Sequence, residues 1–224
     1  MKPNQPQTMR DMLNLYLVAG TQDCRHLGGT PQQNLLSVLE QALRSGITCY
    51  QLREKGAGSL QDKALIQQLA AECRTLCRQY GVPFVLNNDV EAAIEWGADG
   101  VHIGQKDMPL AQAADLCRGR LFIGISNNSF DNILNSRQIN RADYFACGPL
   151  FPTQSKPDAA APVGIDLVRR VRAAGITQPL VAIGGIKAAH AAEIRAAGAD
   201  GIAVISAITQ AEDVAAAVRA LLAK

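Results

Sequence analysis

The chain has 224 residues, of which 48% are hydrophobic, and carries a formal net charge of +2. This length and apolar content suffice for one large domain with a full core. The balanced charge argues against nucleic acid as a partner, and no apolar run is long enough to span a membrane. The polar start lacks a signal-peptide core. We therefore expect a cytoplasmic protein without nucleic-acid or membrane partners, in which residues 1–11 form an N-terminal tail.

Short apolar strand candidates alternate with helical patterns along the chain. The strand candidates cover residues 14–19, 47–52, 83–86, 100–104, 121–125, 143–147, 179–183 and 201–205. The helical patterns cover residues 30–45, 59–80, 90–96, 110–117, 130–138, 164–174, 187–197 and 212–222. The first helix has typical boundaries, with Thr30 as N-cap, Pro31 at the first position and Gly46 as its stop. In the second, helical spacing predicts that Leu65, Leu69, Leu76 and Tyr80 face a sheet.

Eight strand–helix units in strict alternation predict parallel strands joined by right-handed crossovers. Eight is the number that closes into a barrel, although an open doubly wound sheet is the alternative. The segments 97–103 and 198–204 repeat the same helix stop, turn and strand, as expected if the two halves are built alike. We therefore predict an α/β protein with a single (β/α)8 TIM-barrel domain over residues 12–224.

Charged residues follow the second strand directly, in the stretch Gln51-Leu52-Arg53-Glu54-Lys55-Gly56. In such barrels the loops after the strands form the active-site face. The guanidinium of Arg53 can bind phosphate oxygens through two hydrogen bonds, and Lys55 can add a point charge. The stretch therefore indicates a binding site for a strongly anionic group. The alternative is a solvated loop with a local ion pair.

The loops after the other strands are also polar and include few carboxylates. They supply Asn87, Asn88, Asp89, Gln105, Lys106, Asp107, Ser126, Asn127, Thr153, Ser155, Lys156, Gly184, Gly185 and Ser206. No Ser-His-Asp or Cys-His pairing is evident, so anion binding is favoured over acyl transfer. Gly184-Gly185 and Ser206 follow the last two strands, where these barrels often bind phosphate; a simple tight turn is the alternative for the glycines.

Oxygen ligands for a magnesium ion occur in two of these loops. Asp107 and the Asn88-Asp89 pair could hold Mg²⁺ while a diphosphate completes its shell. Asp107 could instead be a helix N-cap before Pro109. His102 lies inside a strand candidate, which favours a hydrogen-bonded core histidine over a ligand.

Five of these motifs, in order, resemble the thiamine-phosphate synthase family. They are the sequences 51–55, 102–107, 148–156, 182–186 and 204–208, and the match covers nearly the whole chain. The resemblance implies a (β/α)8 barrel that uses Mg²⁺ to join a pyrimidine methyl diphosphate to a thiazole phosphate. The products would be thiamine phosphate and diphosphate, formed by loss of diphosphate and attack of the thiazole nitrogen.

The resemblance also implies roles for individual residues. The pyrimidine diphosphate would be held by Gln51, Leu52, Arg53, Glu54, Lys55, Asn87, Ser126 and Lys156. The thiazole phosphate would be held by Thr153, Gln154, Ser155, Gly185, Ile205 and Ser206. Arg53, Lys55, Ser126 and Lys156 would carry catalysis by stabilising the departing diphosphate. Asp107 and Asn88 would bind the metal, where the family usually has aspartate at the position of Asn88.

Two rival functions remain open at this stage. A paralogous thiazole tautomerase would keep the thiazole-phosphate site but would need an acid/base group and no diphosphate site, so Arg53, Lys55, Asp107 and Lys156 argue against it. A non-catalytic phosphate-ligand binder is the other rival, and Asn88 is the feature that favours it. The expected partners are small-molecule substrates and a homo-oligomer; the number of subunits and the presence of a carboxylate on the thiazole stay open.

Overall fold

The structure is a computed structural model that describes residues 6–156 and 160–223. Eight parallel strands form one closed barrel in the order of the sequence, and the last strand pairs with the first. The predicted (β/α)8 barrel is therefore confirmed, and the open-sheet alternative is wrong. None of the described helices combines the length and apolar character needed to cross a membrane.

The strands are short and close to their predicted positions. They are β1 Leu15–Ala19, β2 Cys49–Leu52, β3 Phe84–Asn87, β4 Gly100–Ile103, β5 Phe122–Asn127, β6 Tyr144–Cys147, β7 Leu180–Ile183 and β8 Gly201–Val204. The helices are α1 Pro6–Leu13, α2 Pro31–Ser45, α3 Lys63–Gln79, α4 Val90–Glu95, α5 Leu110–Cys117, α6 Phe130–Ile139, α7 Asp166–Ala173, α8 Ala188–Ala196, α9 Ser206–Thr209 and α10 Val214–Leu222. A 3₁₀ turn, Thr21–Cys24, follows β1.

The core has two layers because successive side chains of a strand point to opposite faces. In β2, Tyr50 and Leu52 pack outward against the helices, whereas Cys49 packs inside the barrel. The inner layer also contains Tyr16, Val18, Val85, Phe122, Tyr144, Ala146, Val181 and Ala203. This alternation sends Gln51, the partner of Val18 and Val85 in the strand register, into the barrel as well.

Helix α1 corrects the expected tail over residues 1–11. The chain is helical from Pro6, and residues 1–5 lie outside the described residues. Met9, Met12 and Leu13 are buried and belong to the inner layer of the core. Their spacing of three and four places them on one helix face, and Arg10 adds an ion pair with Asp200. The prediction gave too much weight to the polar residues and prolines of this segment.

The predicted sheet-facing side of α3 is partly wrong. Leu69 is buried, as expected, and Leu76 packs against the core, but Leu65 and Tyr80 are 43% and 36% exposed. Leu65 lies in the first turn of the helix, and Tyr80 is the C-cap, where its hydroxyl accepts a hydrogen bond from Arg44 at 2.9 Å. Both ends of the helix thus extend beyond the buried stripe.

Replacement of Gly201 by alanine is expected to destabilise the barrel. A β-carbon at Gly201 would lie 1.9 Å from the carbonyl oxygen of Leu13 and 2.6 Å from the Cα of Asn14, both backbone atoms. We expect a loss of roughly 3 kcal/mol, equivalent to a fall in Tm of about 6–12 °C for a chain of this size. Gly28→Ala is the control, since no atom lies within 4 Å of its added β-carbon. Equal melting temperatures for the two variants would contradict the close contact between α1 and β8.

Candidate active site

A cavity of about 420 Å³ opens at the end of the barrel where the carboxyl ends of the strands lie. Its volume falls in the range of ordinary small-molecule sites. Eleven of the fourteen predicted substrate residues line it: Gln51, Arg53, Lys55, Asn87, Ser126, Thr153, Ser155, Lys156, Gly185, Ile205 and Ser206. Asn88 and Asp107 line it as well. The fold thus brings residues that are far apart in sequence to one cavity, because parallel strands all end at the same rim.

Arg53 is held almost completely inside the protein, at 3% exposure. Its main-chain N–H donates to Ala19 at 3.0 Å, and its carbonyl accepts from the side chain of Gln22 at 2.7 Å. Burial raises the pKa of the nearby Asp23, and the charge of Arg53 opposes that rise. These contacts fix the backbone from which the guanidinium reaches the cavity wall.

Three predicted substrate residues do not line the cavity. Leu52 is buried in the layer between strands and helices. The carboxylate of Glu54 accepts hydrogen bonds from the N–H and hydroxyl of Thr21, at 2.6 and 2.8 Å, and from the N–H of Leu60 at 2.8 Å. Gln154 is exposed. Glu54 therefore connects the loop after β2 to the turn after β1. We do not propose side-chain contacts to a substrate for Leu52, Glu54 or Gln154.

The glycines after β7 allow a close packing of two loops. Gly184 and Gly185 have φ values of 101° and 64°, a region that favours glycine. The carbonyl of Gly184 accepts from Phe151 at 3.0 Å, and a β-carbon on Gly185 would lie 2.4 Å from the carbonyl oxygen of Pro152. The glycines thus position the loop that carries Thr153, Ser155 and Lys156 over the cavity, a role that the sequence interpretation did not foresee.

The metal-ligand candidates Asn88 and Asp107 lie in direct contact. The side-chain amide of Asn88 donates to one carboxylate oxygen of Asp107 at 3.1 Å, and the other oxygen accepts from the N–H of Gly104 at 2.6 Å. Asp107 does not cap α5, whose N-cap position is Pro109 without a side-chain bond. Asp89 instead caps α4 through the N–H of Ala92 and does not line the cavity. It is therefore not placed to compensate for the missing carboxylate at position 88.

His102 is buried and hydrogen-bonded, as the sequence predicts, but it also lines the cavity. Its Nδ1 lies 2.8 Å from the hydroxyl of Tyr144, and its Nε2 lies 2.9 Å from the Oγ of Ser126. Burial, with a further contribution from the charge of Lys156, lowers the pKa of His102 to about 3. The imidazole is therefore neutral at physiological pH.

Comparison with known proteins assigns the chain to one family. The family model described as thiamine monophosphate synthase matches residues 15–208. A thiamine-phosphate synthase of Pasteurella multocida is 55% identical over 210 residues, 94% of this chain and 95% of the relative. This chain belongs to the thiamine-phosphate synthase family. A homologue of Haemophilus influenzae strain Rd with the same name is 50% identical over 216 residues, 96% of each chain.

Solved structures agree with this assignment. A thiamine phosphate pyrophosphorylase from Pyrococcus furiosus superposes with a TM-score of 0.79 at 32% identity, over 95% of each chain. A hexulose-6-phosphate synthase from Salmonella typhimurium has a TM-score of 0.66 at 15% identity, over 93% of this chain and 96% of that one. The second likeness concerns the fold alone, whereas the first extends the family match to a structure.

Proposed function

We propose that this thiamine-phosphate synthase family member condenses a pyrimidine methyl diphosphate with a thiazole phosphate to give thiamine phosphate and diphosphate. It is thus a transferase of thiamine biosynthesis. The observation that carries the proposal is the convergence of Arg53, Lys55 and Lys156 on one cavity, which suits a highly charged leaving group. A tautomerase would have no use for this cluster of cations.

The diphosphate lies among Arg53, Lys55, Lys156 and Ser126. The guanidinium offers paired donors for phosphate oxygens, and the two lysines add positive charge. Ser126, near the end of β5, lines the same cavity. These groups are placed before the reaction begins, so that little reorganisation is needed as negative charge develops on the leaving group.

The two rings bind deeper and beside this charged region. The side-chain amides of Gln51 and Asn87 offer donors and acceptors to the pyrimidine ring, over a floor that includes the apolar side chains of Val18, Val181 and Ala203. The thiazole phosphate is held by the loops after β6, β7 and β8. Its contacts are the hydroxyls of Thr153, Ser155 and Ser206 and the main chain at Gly185 and Ile205.

The reaction needs no strong protein base or nucleophile. The exocyclic C–O bond of the pyrimidine breaks, and the electron pair leaves with the diphosphate. The aminopyrimidine ring stabilises the resulting cation, and the lone pair of the thiazole nitrogen forms the new C–N bond. The protein contributes stabilisation of the leaving group by Arg53, Lys55 and Lys156 and alignment of the two rings.

Magnesium fits the donors that the cavity offers. Asp107 supplies a carboxylate and Asn88 an amide oxygen, once the amide turns from its hydrogen bond to Asp107. The described residues contain no group of three or more His, Cys, Asp or Glu side chains that could form a metal site. Mg²⁺ commonly binds through one or two carboxylates and the phosphates of its substrate. When bound, it would neutralise charge on the diphosphate.

A product assay with both substrates tests the proposed function. With Mg²⁺, purified protein is expected to form thiamine phosphate and diphosphate in equal amounts, and to form neither when one substrate or the metal is omitted. Isomerisation of a thiazole phosphate without the pyrimidine would instead indicate a tautomerase. Binding of both ligands without products would indicate a binder. The cytoplasmic location and the homo-oligomer stay predictions.

A further inference from the structure

A row of hydrogen-bonded side chains crosses the barrel beneath the cavity. The amide nitrogen of Gln51 lies 2.8 Å from the hydroxyl of Tyr16, which lies 3.0 Å from that of Tyr144. Tyr144 is 2.8 Å from Nδ1 of His102, and Nε2 of His102 is 2.9 Å from Oγ of Ser126. The row thus joins Gln51, which we propose binds the pyrimidine, to Ser126, which we propose binds the diphosphate. Its members come from five strands.

The surrounding barrel leaves space for this row. A β-carbon at Gly124 would lie 2.1 Å from Cζ of Tyr144 and 2.5 Å from Nδ1 of His102, so the absence of a side chain there permits their hydrogen bond. The thiol of Cys49 also forms a hydrogen bond with the hydroxyl of Tyr16. Tyr16 and Tyr144 are 1% and 0% exposed, and an unmade hydrogen bond at such a depth is costly.

One assignment of the available protons satisfies every hydrogen bond of the row. The amide N–H of Gln51 can only donate, so Tyr16 accepts that hydrogen bond and donates one of its own to the oxygen of Tyr144. Tyr144 then donates to Nδ1 of His102, and a neutral imidazole carries its proton on Nε2. That N–H donates to Ser126, whose hydroxyl proton has no acceptor left within the row and points to the cavity.

The other arrangements serve an anion less well. A cationic His102 would place a charge inside the barrel, where the side chain is only 7% exposed and a buried charge is costly. A neutral imidazole with its proton on Nδ1 would make Tyr144 donate to Tyr16, whose own proton would then turn to the thiol of Cys49, a weak acceptor. It would also turn the hydroxyl proton of Ser126 toward His102 and present oxygen lone pairs to an anion.

We propose that Gln51, Tyr16, Tyr144 and His102 act as a directional hydrogen-bond chain that aims the hydroxyl proton of Ser126 at the departing diphosphate. Tyr16, Tyr144 and His102 are thus positioning residues, and no proton is transferred along the chain. The assignment of diphosphate as the acceptor rests on the proposed function.

Nitrogen NMR of the protein labelled with ¹⁵N-histidine tests the direction without any substrate. The chain has three histidines, and His102→Asn identifies the signal of His102. We expect the tautomer with its proton on Nε2, unchanged over about pH 5 to 8, the range in which an ordinary histidine titrates. A proton on Nδ1, or a cationic ring at neutral pH, would overturn the proposal even if the enzyme is active.

A double-mutant cycle tests whether the chain acts through Ser126. Tyr144→Phe is expected to lower kcat about 10-fold, less than the roughly 10²–10³-fold loss for removing a donor outright, with little change in KM for the thiazole phosphate. In a Ser126→Ala background, the same change should alter kcat by less than about 2-fold. Independent, multiplying effects would overturn the proposal.

Tyr50→Phe is the matched control. Its hydroxyl is also buried and bonds to the carbonyl of Ala19 at 3.2 Å, but it lies in the outer layer of the core and does not line the cavity. It should cost stability without lowering kcat. If Tyr144→Phe does not fold, the tautomer in the wild-type protein still decides the proposal. Absence of synthase activity in wild type would refute the proposed function, whereas the NMR result would stand by itself.

Discussion

Replacement of Lys156 by alanine is expected to lower kcat about 10²–10³-fold, the loss typical of removing one preorganised group that stabilises developing charge. Lys156 lies on the loop after β6, lines the cavity and acts electrostatically on His102, so its ammonium charge lies near the wall that carries Ser126. Because the leaving diphosphate gains negative charge as its bond to carbon breaks, loss of this cation should affect the transition state more than the bound substrate.

Steady-state kinetics with both substrates, together with thermal unfolding, separate catalysis from folding in this variant. The Tm should stay close to the wild-type value, since Lys156 is only partly buried. Lys63→Ala is the control, because Lys63 is exposed at the start of α3 and does not line the cavity. A near-normal rate for Lys156→Ala would remove Lys156 from the mechanism. Arg53 is a less clear test, since its loss would also remove a positive charge that favours the ionised form of the partly buried Asp23.

The sequence predicts the barrel well because its signals are local and repeated. Each strand is a short apolar run that ends at polar residues or glycine, and the alternation with helices restricts the topology. Strand β5 shows where this fails. It continues through Ser126 to Asn127, two polar residues beyond the predicted end. Asn127 is 1% exposed, and its amide is satisfied by the carbonyl of Ile125 and the hydroxyl of Ser136.

The sequence predicts a site residue well when its chemistry and its position after a strand both indicate ligand binding. It predicts less well when the direction of the side chain decides whether the residue reaches the cavity. Arg53, Lys55 and Lys156 follow strands and line the cavity, as expected. Glu54 stands between two of them in sequence, but it turns to the N–H groups of Thr21 and Leu60. The sequence does not show that choice, since a carboxylate beside cations can serve a ligand or a loop equally well.

The tyrosines of the hydrogen-bond chain are the main omission of the sequence interpretation. Tyr16 and Tyr144 lie in apolar strand runs and read as ordinary core residues. Both carry a hydroxyl that must find a partner when buried, and this is the signal that could have indicated a polar row inside the barrel. Their partners come from strands far apart in sequence, so only the closed barrel identifies them.

The second large effect is expected at the pair Asn88 and Asp107. Asp107→Asn removes the one carboxylate that the pair offers, so the Mg²⁺ concentration for half-maximal activity should rise at least about 10-fold, as for the loss of a group that supports a metal site. Asn88→Asp should lower that concentration by adding a second charge. Direct titration with Mn²⁺, monitored by electron paramagnetic resonance, should rank the metal affinities of the wild type and the two variants in the same order without turnover.

Stability without metal gives an independent readout for Asn88→Asp. In the wild type an amide hydrogen bond of 3.1 Å joins Asn88 to Asp107; in the variant two carboxylates would face each other, and like charges at this range repel. The backbone is not the cause of any change, since the positive φ of 67° at Asn88 is also tolerated by aspartate. The variant should therefore melt below wild type in chelator and recover in Mg²⁺, because a ligand that binds only the folded state stabilises it.

Asp89→Asn is the matched control for both measurements. It removes a carboxylate one residue away, but that carboxylate caps α4 at 2.9 Å from the N–H of Ala92 and lies outside the cavity wall. Asparagine is an equally good N-cap, so neither stability nor the Mg²⁺ requirement should change. If Asp89→Asn weakens metal binding as much as Asp107→Asn does, the metal lies nearer to α4 than to the Asn88–Asp107 contact. The amide at position 88 then has no part in the magnesium affinity of this chain.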